Sequence, residues 1–160
     1  MSVTVVLVRH GEKAQTGRAN PGLTSQGVSQ AANFEWSTDC VFLSPLRRAL
    51  QTYALSVVST RQVVLLPTLR EHMVGISTYL EGEAHTSQEP REVFCARVRT
   101  AWDEIRKTVV RNNYRHVTIF SHEDCLFELQ KVMGRGSPSQ LAQGTFSVVD
   151  APTVEVPGGP

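Results

Sequence analysis

The sequence predicts an α/β fold, a three-layer α/β/α sandwich with a mostly parallel central sheet. Short β-branched apolar runs alternate with stretches whose apolar residues recur at helical spacing, and that alternation gives parallel strands covered on both faces. The chain has 160 residues, which suits one domain with a real core. Hydrophobic residues make up 41% and charged residues 19%, a globular balance rather than a disordered one.

Each element has its own signal. Residues 3–9 are apolar and β-branched, the pattern of a strand buried on both faces. Thr24 or Ser25 offers an N-cap, and Val28, Ala31, Ala32 and Trp36 follow on one helical face. Residues 40–44 form a second strand. Pro45 suits a helix start, where its missing N–H costs nothing. Leu46, Ala49, Leu50, Tyr53 and Val57 then mark an amphipathic helix. Residues 63–66 form a third strand, stopped by Pro67. Residues 72–89 hold no clean period and read as a long loop with one helical turn. Phe94, Val98, Ala101, Trp102, Ile105 and Val109 make another helical stripe. Residues 116–121 form the fourth strand. Leu126, Leu129 and Met133 lie on a helix that ends near Gly134 or Gly136. Residues 145–149 form a fifth, edge strand. The domain is expected over residues 1–150, with 151–160 as a flexible tail ending in Pro157-Gly158-Gly159-Pro160.

Composition excludes several functions. The net charge is +1, so no broad basic field for nucleic acid or an anionic membrane surface is expected. No apolar run is long enough to span a bilayer. Residues 1–8 lack the charged start and cleavage site of a secretory signal. Cys40, Cys95 and Cys125 are odd in number and widely spaced, which fits reduced thiols in a cytoplasmic protein.

In a parallel sheet the ligand crevice lies beyond the carboxyl ends of the strands. The residues just past each strand are Arg9-His10-Gly11-Glu12, Ser44-Pro45-Leu46-Arg47-Arg48, Leu69-Arg70-Glu71-His72 and Ser121-His122-Glu123-Asp124. Arginine forks match phosphate oxygens. Neutral histidine is a nucleophile near pH 7. Gly11, without a Cβ, lets the backbone approach a ligand. A carboxylic acid can protonate a leaving oxygen. The set reads as phosphoryl transfer through a phosphohistidine, with no metal and no cofactor. The run His122-Glu123-Asp124 lacks a metal-ligand spacing. Cys40 falls inside a strand, at the wrong distance from Arg47 for a cysteine phosphatase loop.

These blocks resemble the histidine phosphatase superfamily, in its phosphoglycerate mutase-like branch. Arg9-His10-Gly11-Glu12 resembles its signature. Leu23-Thr24-Ser25-Gln26-Gly27 with Gln30-Ala31 resembles its helix start. Ser44 through Thr52 resembles its Ser-x-x-x-Arg-Ala-x-Gln-Thr block, Leu69-Arg70-Glu71 its proton-donor segment, and Ser121-His122 its second histidine. The resemblance implies His10 as nucleophile. It implies Arg9, Arg47 and His122 as phosphate ligands beside Gly11, and Glu71 as proton donor. Glu123, directly after the second histidine, is the alternative donor, as in the other branch. Arg48 is expected to point elsewhere on its helix. Arg70, His72, His85 and His116 are expected at the surface.

Two departures bear on the substrate. Glu123-Asp124 stand where mutases usually carry Gly. Glu12-Lys13-Ala14-Gln15 replaces a segment in which mutase-like members carry Asn, which argues against phosphoglycerate. The expected activity is a metal-independent phosphatase acting on a small-molecule phosphoester or a phosphoprotein. Its rivals are a mutase-like phosphotransferase and a catalytically silent phosphate-binding or scaffold domain. The silent domain predicts loss of His10, Arg9, Arg47 or His122, and all are present.

Overall fold

The computed structural model describes residues 1–84 and 88–153. The elements are β1 (Ser2–Arg9), α1 (Ser25–Ala32), β2 (Glu35–Leu43), α2 (Arg47–Leu55), β3 (Val57–Leu65), α3 (Arg91–Asn112), β4 (His116–Ser121), α4 (Glu123–Val132) and β5 (Phe146–Pro152). Single 3₁₀ turns stand at Pro67–Leu69 and Ile76–Thr78. The sheet order is β3-β2-β4-β1-β5. The pairs β1–β4, β2–β4 and β2–β3 are parallel, and β5 runs antiparallel along β1.

Alternating side chains of β1 feed two separate cores, as the period of a strand requires. Val3, Val5 and Leu7 pack with Phe94, Val98, Trp102 and Ile105 of α3 and Leu126 and Leu129 of α4. Val6 and Val8 pack on the other face with Phe34, Ala49 and Phe120. Because both faces of β1 are covered, it reads as a continuous apolar run. The three-layer α/β/α expectation matches this architecture.

Several local expectations shift. Trp36 lies on β2, not on the face of α1, and donates from Nε1 to Thr118 Oγ1 at 3.0 Å. Val28 is exposed, and the buried residues of α1 are Gly27 and Ala31. β2 and β3 begin earlier than expected because they pair with each other from Glu35 and Val57, at an end where β4 does not reach. Those first residues are mostly polar, with Val58 the one buried apolar side chain among them, so no apolar run announces them. Val57 thus belongs to β3 and is exposed. β5 continues past residue 150: Ala151 is fully buried, and the Thr153 N–H donates to the Met1 carbonyl at 3.2 Å. The rest of the expected tail, 154–160, and His85 lie outside the described residues. Cys40 and Cys125 are buried, with thiol pKa values pushed up to about 12 by burial, and Cys95 is half-buried; all three are free. No helix among the described residues is long and apolar enough to cross a membrane.

Candidate active site

The carboxyl ends of β1, β2 and β4 lie side by side, and the segment after β3 folds over them. Arg9 pairs in register with Ser121, so His10 and His122 leave adjacent strands together. Their rings stand 5.2 Å apart between centroids. The His10 backbone is fixed on both sides: its N–H donates to Ser121 O, and its carbonyl accepts from Gly144 N–H at 2.7 Å.

The His10 ring is oriented by its own chain. Nδ1 lies 2.7 Å from the Gly11 carbonyl, which can only accept. Nδ1 therefore carries the proton, and Nε2 keeps its lone pair. Burial pushes the His10 pKa down to about 3, with Arg48, Arg9 and Lys13 adding to the effect and the Gly11 bond opposing it. The ring is neutral at pH 7, the form a nucleophile requires.

Gly11 contributes differently from the expectation. Its N–H is taken by Thr52 Oγ1 at 3.0 Å, and its carbonyl serves His10. A Cβ on Gly11 would stand 2.5 Å from the Gly27 carbonyl oxygen, and one on Gly27 would stand 2.5 Å from the Glu12 carbonyl oxygen. The missing Cβ atoms thus let the loop after β1 lie against α1.

His122 is fully buried, and burial, followed by the neighbouring His10 ring and the charges of Arg48, Arg97 and Arg9, holds its pKa well below the usual value. Nε2 lies 2.8 Å from Ser44 Oγ. Ser44 Oγ also accepts from the Leu46 N–H at 3.4 Å, so its own proton is free to go to Nε2. That leaves Nδ1 protonated, buried and without a hydrogen-bond partner, 3.5 Å from Glu71 Oε1.

The two arginines of α2 stand the other way round from the expectation, with Arg47 outward and Arg48 inward. The Arg47 guanidinium is half-exposed and pairs with Glu81 at 3.0 Å. Arg48 is fully buried and pairs from Nη2 with Glu71 Oε1 at 2.9 Å, while Nη1 donates to the Ser77 carbonyl at 3.0 Å. The buried residues of α2 are Arg48, Ala49 and Thr52. The block's own spacing carried the signal, since its Arg-Ala pair counted from Ser44 is Arg48-Ala49; an apolar count points away from it, because two of the three buried members of the face are polar. The rest of the block also has structural work: Thr52 Oγ1 receives Gly11 N–H and donates to the Arg48 carbonyl, and Gln51 Oε1 receives Leu23 N–H.

Arg9 is anchored through Nη1 by Glu123 Oε2 at 3.0 Å and the Leu141 carbonyl at 2.9 Å. Its buried Nε has no partner, as is also true of Arg48 Nε. Glu123 therefore faces Arg9, whereas Glu71 faces both histidines. Nitrogen atoms of His10 and His122 and an oxygen of Glu71 all lie within 4.8 Å of one another. Two imidazoles and a carboxylate are ligand types that suit zinc, and Arg48 competes with such an ion for the carboxylate.

Glu71 is itself clamped through its backbone, by residues with no motif to mark them. Arg97 of α3 donates to the carbonyls of Thr68, Arg70 and Glu71, and its fork is held by Glu89. Asp124 accepts the His72 N–H at 3.2 Å. Burial and nearby Glu71 raise the Asp124 pKa. Arg70 is buried and paired with Glu83 rather than at the surface. His72 and His116 are half-buried, and the His72 ring stacks on Phe94.

The model of the histidine phosphatase superfamily (branch 1) matches residues 5–93, and the chain belongs to this superfamily. Among curated proteins no significant sequence match was found. Solved structures share the fold. The alpha-ribazole phosphatase of Shigella flexneri is 25% identical, with a TM-score of 0.69 over 91% of this chain and 89% of that one. The phosphoserine phosphatase of Entamoeba histolytica is 20% identical, with a TM-score of 0.62 over 91% and 89%. A phosphoglycerate mutase of Thermus thermophilus is 22% identical, with a TM-score of 0.59 over 92% of both chains. The superfamily places this chain among proteins of histidine-based phosphoryl transfer.

Proposed function

We propose that this protein is a cytoplasmic phosphatase that hydrolyses a phosphomonoester, on a small molecule or a phosphoprotein, through a phosphohistidine on His10 and without a metal. One observation carries the reading. His10 keeps its lone pair on Nε2, lies beside His122 and Glu71 and feels the charges of Arg48 and Arg9, while the buried Arg9 Nε, Arg48 Nε and His122 Nδ1 make no hydrogen bonds within the protein. Buried donors of this kind are normally satisfied. Grouped beside a neutral imidazole, they suit the equatorial oxygens of a phosphoryl group in flight.

In the first step His10 Nε2 attacks phosphorus, and the bond to the ester oxygen breaks. Glu71 gives its proton to that leaving oxygen. In the second step a water attacks the phosphorus of the phosphohistidine, Glu71 takes the water's proton, and the P–N bond breaks. Inorganic phosphate leaves, and His10 returns neutral with its Nδ1 proton still on Gly11. The entering phosphoryl group competes with Glu71 for the Arg48 guanidinium, which frees the Glu71 carboxyl to turn to the leaving oxygen.

Hydrolysis is favoured over mutase chemistry by the cover of the site. A mutase must shield its phosphoenzyme from water. Between Glu71 and α3 the described residues hold one 3₁₀ turn and no longer element. The test is to quench the enzyme during turnover and map the phosphate. An acid-labile, base-stable label on the His10 peptide, absent in His10→Ala, supports the proposal. Label on a serine, cysteine or carboxylate would sink it.

A further inference from the structure

Beside the phosphoryl pocket lies a second cleft, lined by Lys13, Gln15, Thr16, Arg18, Gly75 and Ser77. Ser77 is the wall between the two. Its carbonyl accepts from Arg48 Nη1 at 3.0 Å, and its Oγ accepts from Lys13 Nζ at 3.2 Å. Lys13 is half-buried, and its charge reaches His10. Other arginines of the site region are paired with acids: Arg48, on the same Ser77, with Glu71, Arg47 with Glu81, Arg70 with Glu83 and Arg9 with Glu123. Lys13 and Arg18 have no carboxylate partner among the described residues. The adjacent acid, Glu12, turns away and accepts from Thr24 Oγ1 at 2.8 Å. A half-buried ammonium held on a hydroxyl, with no counter-ion, is costly unless an anion completes it.

We propose that this cleft is the leaving-group subsite. There Lys13, with Arg18 at the rim, binds a second anionic group of the substrate, a carboxylate or a second phosphate. The phosphomonoester it takes is thus one with a further negative charge beyond the scissile phosphate. The inference rests on the phosphatase reading above. The cleft holds two cations and no acid, which suits one added anionic group better than many.

The experiment compares kcat/KM within matched pairs, using the full chain. One pair is phosphoglycolate and ethyl phosphate, which differ by a carboxylate. The other is fructose 1,6-bisphosphate and fructose 6-phosphate, which differ by a phosphate. Nitrophenyl phosphate reports the phosphatase activity itself. The wild-type enzyme should prefer the anionic member of at least one pair by about tenfold, the scale of one charge-assisted hydrogen bond. The pair that shows it identifies the anion. Lys13→Met should shrink that preference to about twofold, and Lys13→Arg should restore most of it. Arg18→Gln, at an exposed position, should reduce it about threefold and stands in if Lys13→Met does not fold. An enzyme that turns over nitrophenyl phosphate but shows no preference in either pair overturns the inference alone. Equal losses on both members in Lys13→Met overturn it as well. Failure on every ester, nitrophenyl phosphate included, overturns the phosphatase reading and this inference with it.

Discussion

Arg48 Nη2 donates to Glu71 Oε1 at 2.9 Å, and that same oxygen lies 3.5 Å from His122 Nδ1. One carboxylate oxygen thus ties the start of α2 to the segment after β3 and to the end of β4. The first expectation concerns this arginine. Arg48→Lys keeps the charge but loses the planar fork. It should lower kcat/KM on nitrophenyl phosphate roughly 10²–10³-fold, as loss of an oxyanion donor does. Arg47→Ala breaks an exposed ion pair worth ~1 kcal/mol or less and should stay within about threefold. A larger loss for Arg47→Ala would return the phosphate contact to Arg47.

Glu71 and Glu123 separate by leaving group. A basic alkoxide needs a proton to leave, and a nitrophenolate hardly does. Glu71→Gln should lose roughly 10²–10⁴-fold on an alkyl phosphate and much less on the aryl ester. Glu123→Gln removes the carboxylate that holds Arg9 Nη1. Its effect should be small and the same for both esters, because it changes phosphate binding and not proton transfer. Paired kcat/KM values on ethyl and nitrophenyl phosphate decide the matter. A leaving-group-dependent loss in Glu123→Gln, with none in Glu71→Gln, would exchange the two roles.

Stability should fall on acidification. Burial first, then Arg48 and Arg9, hold the His10 pKa at about 3 instead of 6.5, and His122 is displaced the same way. Below pH 6.5 the unfolded chain takes up protons that these folded histidines refuse. Their contribution is full above pH 6.5 and is lost as pH drops toward 3, at no more than about 1.4 kcal/mol per pH unit per histidine. His10→Gln should therefore have a shallower decline. Urea midpoints between pH 7 and pH 4.5 measure it. An unchanged slope in the variant would contradict the burial argument.

Chelator should leave turnover intact, and added Zn²⁺ should inhibit. The zinc would use His10, Glu71 and His122 as ligands and so remove the nucleophile's lone pair. Initial rates with EDTA, and with Zn²⁺ titrated in, give the answer. Loss of activity in chelator, with recovery on added Mg²⁺ or Zn²⁺, would require a metal mechanism instead.

The layers, the carboxyl ends of β1 to β4 and the two histidines were legible in the amino-acid pattern. β1 is buried on both faces and α3 on one, so their apolar patterns report their environment directly. The residues past β1 and β4 carry their chemistry at the switch from strand to turn, where the backbone leaves little choice of direction. Which arginine enters the site was legible too, because the Ser-x-x-x-Arg-Ala-x-Gln-Thr spacing from Ser44 falls on Arg48 and not on its neighbour Arg47. An apolar count hid it, since the inner face of α2 is built partly from Arg48 and Thr52. Only the tertiary structure shows what Gly11 does, since the close approach of Gly27 comes from distant chain. The Arg97 and Asp124 clamp on the Glu71 segment was equally hidden. Those contacts run from side chain to backbone across elements far apart in sequence, and a backbone partner leaves no mark in residue type.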